Sequence, residues 1–175
     1  MQISKRTVVA LLTTAALAGS ATTAVSAMAG SSPSPKAAPA GLLQTLGLNT
    51  VLKTSLTPSV PTDPMLHGVT AGGAPWVLTR GNLRLLANGD LVVSIKGLII
   101  PSLGNAGPVT TVDAALYCGT DTTAAVTSPS VPLSQSGNAL IVTRVTLPSS
   151  CLAPVVLINP NSIPSIYIAA SGFGG

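Results

Sequence analysis

Acidic side chains are nearly absent from this chain. Its 175 residues include four Asp, at positions 63, 90, 113 and 121, and no Glu. Glycoside hydrolysis usually needs two carboxylates flanking one bond. Asp90 falls at a hairpin tip and Asp113 inside an apolar strand, so no such pair is indicated. Histidine occurs once, as His67. A Ser-His-Asp site would have to use it, with Asp63 four residues upstream, but no nucleophile-elbow pattern is present. The expectation is a protein that is not an enzyme, with no catalytic residues and with His67 as a surface structural residue.

Metal and sugar chemistry are limited in the same way. Two Cys and one His lie too far apart to hold structural zinc. The loop Gly119-Thr120-Asp121-Thr122-Thr123 offers calcium a single carboxylate and reads as a solvated turn. No metal and no cofactor are expected. Beyond the first 29 residues the only aromatics are Trp76, Tyr117, Tyr167 and Phe173. Trp76 is therefore the one ligand-stacking candidate, weighed against an ordinary place in the core.

Long apolar runs are also missing after residue 29, so no membrane span is expected beyond that point. Residues 1–29 themselves read as a secretory signal peptide. Lys5 and Arg6 precede a short apolar core, Val8 to Ala18, and cleavage falls after Ala29 or after Ala27. An uncleaved helical anchor is the alternative. Cleavage leaves about 146 residues, a one-domain length, with six cations against four Asp and a net charge of +2. Those cations (Lys36, Lys53, Arg80, Arg84, Lys96, Arg144) form no run, so no nucleic-acid partner is expected.

What remains is turn chemistry and short apolar strands. Residues 30–40, GSSPSPKAAPA, cannot bury enough apolar surface to fold and read as a disordered spacer. Residues 41–53 read as an edge strand or short helix covering the domain, or as an apolar segment that meets a partner. The prolines at 58, 61, 64 and 75 argue against long central strands between residues 54 and 75. Met65 to Thr70 reads as one short strand.

Trp76 to Leu86 and Leu91 to Ile100 flank Asn88-Gly89, a strong hairpin signal. A two-residue turn pairs Leu85 with Val92. Alternation favours a three-residue loop with a bulge, which gathers Leu83, Leu85, Leu91, Val93 and Ile95 on one face and Arg84, Ser94 and Lys96 on the other. Further strands are expected at Thr110 to Cys118, near Ala124 to Thr127, at Asn138 to Leu147, at Val155 to Ile158 and at Ile166 to Ala170. In the Asn138 to Leu147 strand, Ala139, Ile141, Thr143, Val145 and Leu147 form the core face.

The fold expected is all-β: an antiparallel β-sandwich of about seven or eight short strands, preferred over a barrel. It forms one domain over residues 41–175, firm from about 65 to 172. Cys118 and Cys151 are the only thiols, and export would place them in an oxidising compartment, so they are expected to pair.

Several stretches carry a resemblance. They are Gly68-Val69-Thr70-Ala71-Gly72-Gly73-Ala74-Pro75-Trp76, Lys96-Gly97-Leu98-Ile99-Ile100-Pro101, Val112 to Cys118, Cys151-Leu152-Ala153-Pro154 with the apolar run after it, and Tyr167-Ile168-Ala169. Together they resemble a group of uncharacterised small secreted proteins of actinomycete-type bacteria. The resemblance implies an exported soluble domain with one disulfide, and brings no activity and no functional residues. The function expected is a secreted structural or interaction protein of the extracellular space or cell envelope, with cell-wall or envelope components as partners. The alternative is a small-molecule or glycan-binding module built on Trp76 and its neighbouring loops.

Overall fold

The computed structural model describes residues 50–171. The expected signal peptide, the spacer, residues 41–49 and the tail with Phe173 lie outside the described residues.

The central hairpin is β3 (Arg80–Leu86) and β4 (Asp90–Lys96). Leu85 pairs with Leu91, Leu83 with Val93 and Gly81 with Ile95. The connection is therefore the three-residue loop Ala87-Asn88-Gly89, as alternation requires. Gly89 takes φ 87°, the left-handed position that closes such a loop. The Val145 N–H donates to the Gly89 carbonyl at 2.9 Å, and a Cβ on Gly89 would collide with the Val145 backbone. Only glycine fits there.

Two strands extend the hairpin. On the β4 side lies β8 (Ala139–Arg144), with Val93 opposite Ile141. On the β3 side lies β1 (Thr50–Pro58), with Thr54 opposite Leu83 and a register shift between Thr50 and Leu52. Over the described residues 50–53 the expectation of an edge strand or short helix is corrected, and so, over 54–58, is the expectation of no long central strand. β1 is nine residues long and lies inside the sheet. Pro58 is tolerated because it is the last residue of the strand, where one missing donor ends the ladder.

The sheet turns through β1. Residues 50–55 pair with β3, while Leu56, Thr57 and Pro58 pair with β11 (Ala169–Ser171). Next to β11 comes β9 (Val155–Pro160), then β5 (Thr111–Tyr117), flanked by β6 (Val126–Thr127) and β7 (Val131–Pro132). The order β6-β5-β9-β11-β1-β3-β4-β8 is antiparallel throughout, and β7 also pairs with β5. A separate parallel pair joins β2 (Thr70–Ala71) to β10 (Ile166–Tyr167). Four of these eleven strands are two residues long; β3, β4, β5, β8, β9 and β11 overlap stretches expected as strands, and β6 lies within Ala124 to Thr127. The expected strand from Met65 to Thr70 is corrected: Leu66 and Val69 bridge each other across a tight turn at His67-Gly68, where both residues take positive φ, and only Thr70 belongs to a strand. No helix occurs among the described residues.

The two halves of this curled sheet enclose one core. Leu83, Leu85, Val93, Ile95 and Ile141 from the β1-β3-β4-β8 half pack with Val112, Leu116, Val156 and Ile158 from the other half. The β5–β9 half is buried on both faces. Its outer side carries a second apolar cluster of Val69, Ala71, Ala115, Tyr117, Leu157, Tyr167 and Ala170, covered by the loop after β1. The β1-β3-β4-β8 half is buried on one face only. The disulfide Cys118–Cys151, with Cα atoms 4.9 Å apart, joins the end of β5 to the approach to β9, and it is compatible with an extracellular location.

Candidate functional site

Period-2 alternation decides what the outer face of β1-β3-β4-β8 presents. Its inward residues are mostly leucine, valine and isoleucine, and the outward set is mostly polar or charged, with Val92, Leu140 and Val142 as the exceptions. Cross-strand pairing then arranges that set in rows. Lys53 lies opposite Arg84, Arg84 opposite Val92, and Val92 opposite Val142. The next row is Ser55, Asn82, Ser94 and Leu140. Arg80 lies opposite Lys96, and Asp90 opposite Arg144.

Every Lys and Arg among the described residues stands on this face: Lys53, Arg80, Arg84, Lys96 and Arg144. Its one acid is Asp90. Asp63 and Asp121 are on loops, and Asp113 is on β5. The cations that look scattered in sequence are thus gathered by strand pairing. The single ion pair among the described residues is Arg144 Nε to Asp90 Oδ1 at 2.7 Å. The Arg144 guanidinium holds the Asp90 carboxyl below its ordinary value, helped by the Asn88 side-chain amide, which donates to Asp90 Oδ2 at 2.8 Å. Asp90 in turn raises Arg144. Lys53, Arg80, Arg84 and Lys96 have no carboxylate partner among the described residues.

Two adjoining hollows open on this face. One, of about 430 Å³, is lined by Lys53, Ser55, Asn82, Arg84, Val92 and Ser94. The other, of about 380 Å³, shares Arg84 and Val92 and continues to Asp90 and Val142. Val92, Leu140 and Val142 are exposed apolar side chains along its β8 margin.

The residues singled out from sequence lie elsewhere. Trp76 is 4% exposed and belongs to the main core, so its indole offers no stacking surface. His67 is half-buried and stacks on Tyr117 with ring centroids 4.9 Å apart. Its Nδ1 donates to the Asp121 carbonyl at 2.7 Å. Asp63 accepts the Val60 N–H at 2.8 Å, which closes a local turn. Among the described residues no three His, Cys, Asp or Glu side chains converge as a metal group, and no helix is long and apolar enough to cross a membrane.

One polar cluster had no sequence signal beyond an Asp inside an apolar strand. Asp113 and Asn159 are cross-strand partners on β5 and β9, 4% and 0% exposed. Asn159 donates its amide N–H to the Ile166 carbonyl at 2.6 Å, which fixes the orientation of the group. Its Oδ1 and Asp113 Oδ1 both lack a hydrogen-bond partner, beside a small cavity of about 150 Å³ that Ser162 and Tyr117 also line. Burial pushes the Asp113 carboxyl above its ordinary value, against a hydrogen bond from Ser162. Burial, with the Asp113 charge, raises the Tyr117 phenol.

Comparison of the chain with family models, with curated proteins and with solved structures finds no match.

Proposed function

We propose that this chain is an exported, non-enzymatic interaction protein, and that it meets its partner through the outer face of β1, β3, β4 and β8. One observation carries the reading. All five cations of the described residues share that face with a single acid. The opposite half of the sheet is covered on both sides, so this face is the broad sheet surface left to solvent. Clustered charge of one sign on a rigid sheet raises the local concentration of an oppositely charged partner and steers its approach.

Export is supported by the charged start and short apolar core of residues 1–29 and by the disulfide. The test is retention of the mature protein on cell-envelope fractions, with Lys53→Gln/Arg84→Gln as the matched variant. Wild-type retention that the variant loses supports the reading, and equal retention of both overturns it. N-terminal sequencing of protein from the medium is expected to begin at Gly30 or Met28; recovery of intact Met1 in the membrane pellet overturns export.

A further inference from the structure

We infer that the partner is an acidic polysaccharide, laid along β3 with its carboxylates on two cation pairs. The inference rests on the reading of this face as the interaction surface. Lys53 stands directly opposite Arg84, and Arg80 directly opposite Lys96. Like charges opposite one another destabilise a sheet, and neither pair has a carboxylate among the described residues to relieve it. This chain has eight cations in total and spends four of them on two repelling pairs. An anion bound at each pair removes the repulsion, and the Arg fork matches a carboxylate in two parallel hydrogen bonds.

The spacing and the filling between the pairs narrow the ligand class. Arg80 and Arg84 are four residues apart on one strand, about 13 Å. Between them runs the neutral row Ser55, Asn82 and Ser94. Hydroxyl and amide groups on that row donate to and accept from hydroxyls. Along β3 the face therefore reads anion, hydroxyl-rich stretch, anion; the 430 Å³ hollow covers the Lys53–Arg84 pair and the neutral row, and the Arg80–Lys96 pair lies beyond it. A sugar polymer with carboxylates separated by hydroxyl-bearing units has that pattern. Single-stranded nucleic acid would call for aromatic stacking platforms, and Trp76, Tyr117 and Tyr167 are all buried. An anionic membrane would favour a broad apolar face with aromatic side chains opposite the cations. Here the exposed apolar margin is limited to Val92, Val142 and Leu140 and holds no aromatic.

The test is affinity electrophoresis and calorimetry of the mature full chain with polygalacturonate. Dextran, single-stranded DNA and phosphatidylglycerol vesicles are the other probes. Polygalacturonate is expected to bind and dextran not to bind. The binding constant should fall with salt with a log–log slope of about 3, as four released counterions require. Lys53→Gln/Arg84→Gln and Arg80→Gln/Lys96→Gln should each weaken binding at least about tenfold and roughly halve the slope. Asn82→Ala should weaken binding several-fold and leave the slope unchanged, a split that charge alone does not produce. Asp121→Lys, which adds positive charge away from the face, should leave affinity within about twofold. The charge-removing variants relieve repulsion, so melting temperatures equal to or slightly above wild type are expected and separate lost binding from lost folding. Absence of polygalacturonate binding, equal binding of dextran, or tighter binding of DNA or vesicles overturns the inference. If polygalacturonate fails while the pair variants still lose envelope retention, the interaction face stands and the glycan falls. If retention is also unchanged, both fall.

Discussion

Asp113 gives this molecule an unusual pH response. A buried acceptor without a donor costs about 1–3 kcal/mol, and Asp113 Oδ1 and Asn159 Oδ1 are two such atoms on neighbouring strands. A proton on Asp113 removes the charge and supplies a donor. Burial raises this carboxyl above its ordinary value of 3.8, so the folded chain keeps the proton at pH values where the unfolded chain has released it. The resulting stability is complete below about pH 4 and is lost as pH rises through the raised value. Asp90 works with the opposite sign. Its lowered carboxyl contributes stability above the ordinary range and loses it on acidification. Asp90 is exposed, so the Asp113 effect dominates. Urea unfolding is expected to show stability falling as pH rises from about 4 towards neutrality. Asp113→Asn supplies a donor without charge. It should flatten that slope and raise neutral-pH stability by about 1–3 kcal/mol. A slope that survives in Asp113→Asn would locate the titrating group elsewhere.

At the scale of the element, the hairpin shows how local chemistry fixes long-range placement. Gly89→Ala forces a side chain into a left-handed position and against the Val145 backbone. A loss of about 2–4 kcal/mol in chemical denaturation is expected, and a loss under about 0.5 kcal/mol would mean the loop relaxes freely. The outer face makes the converse prediction. Lys53→Gln relieves the repulsion with Arg84 and should leave stability equal or up to about 1 kcal/mol higher. A clear loss of stability would show that the Lys53 stem packs rather than repels. The β3–β4 register was legible because alternation on both strands and the loop length agree on it. The outward direction of Arg84, Lys96 and Arg144 was legible for the same reason, strand by strand. Their convergence was not. It requires β8 to pair with β4, and β1 to pair with β3, across long stretches of sequence. Nothing local encodes that order. The central position of β1 was hidden by prolines that turn out to end the strand rather than interrupt it. The Asp113–Asn159 pair was hidden because both residues sit in strands buried on two faces, where alternation carries no information about direction.

The whole molecule depends on one core shared by two half-sheets and on one covalent tie in only one of them. The disulfide closes a loop of 33 residues' separation between β5 and β9. The chain-entropy account assigns such a loop about 3.8 kcal/mol, a large share of the 5–15 kcal/mol typical of a domain. Reduction is therefore expected to lower the melting temperature by roughly 10 °C or more. Its spread through the structure follows from packing. Leu83, Val93 and Ile141 on one half interlock with Val112, Leu116 and Ile158 on the other, and β1 contributes hydrogen bonds to both. Neither half keeps its buried face if the other opens. Hydrogen exchange before and after reduction should thus show β4 amides, far from the disulfide in the strand order, losing protection in step with those of β5 and β9. Loss confined to β5 and β9, with β3 and β4 unchanged, would show that the basic half-sheet holds its structure independently and that the shared core is not what couples them.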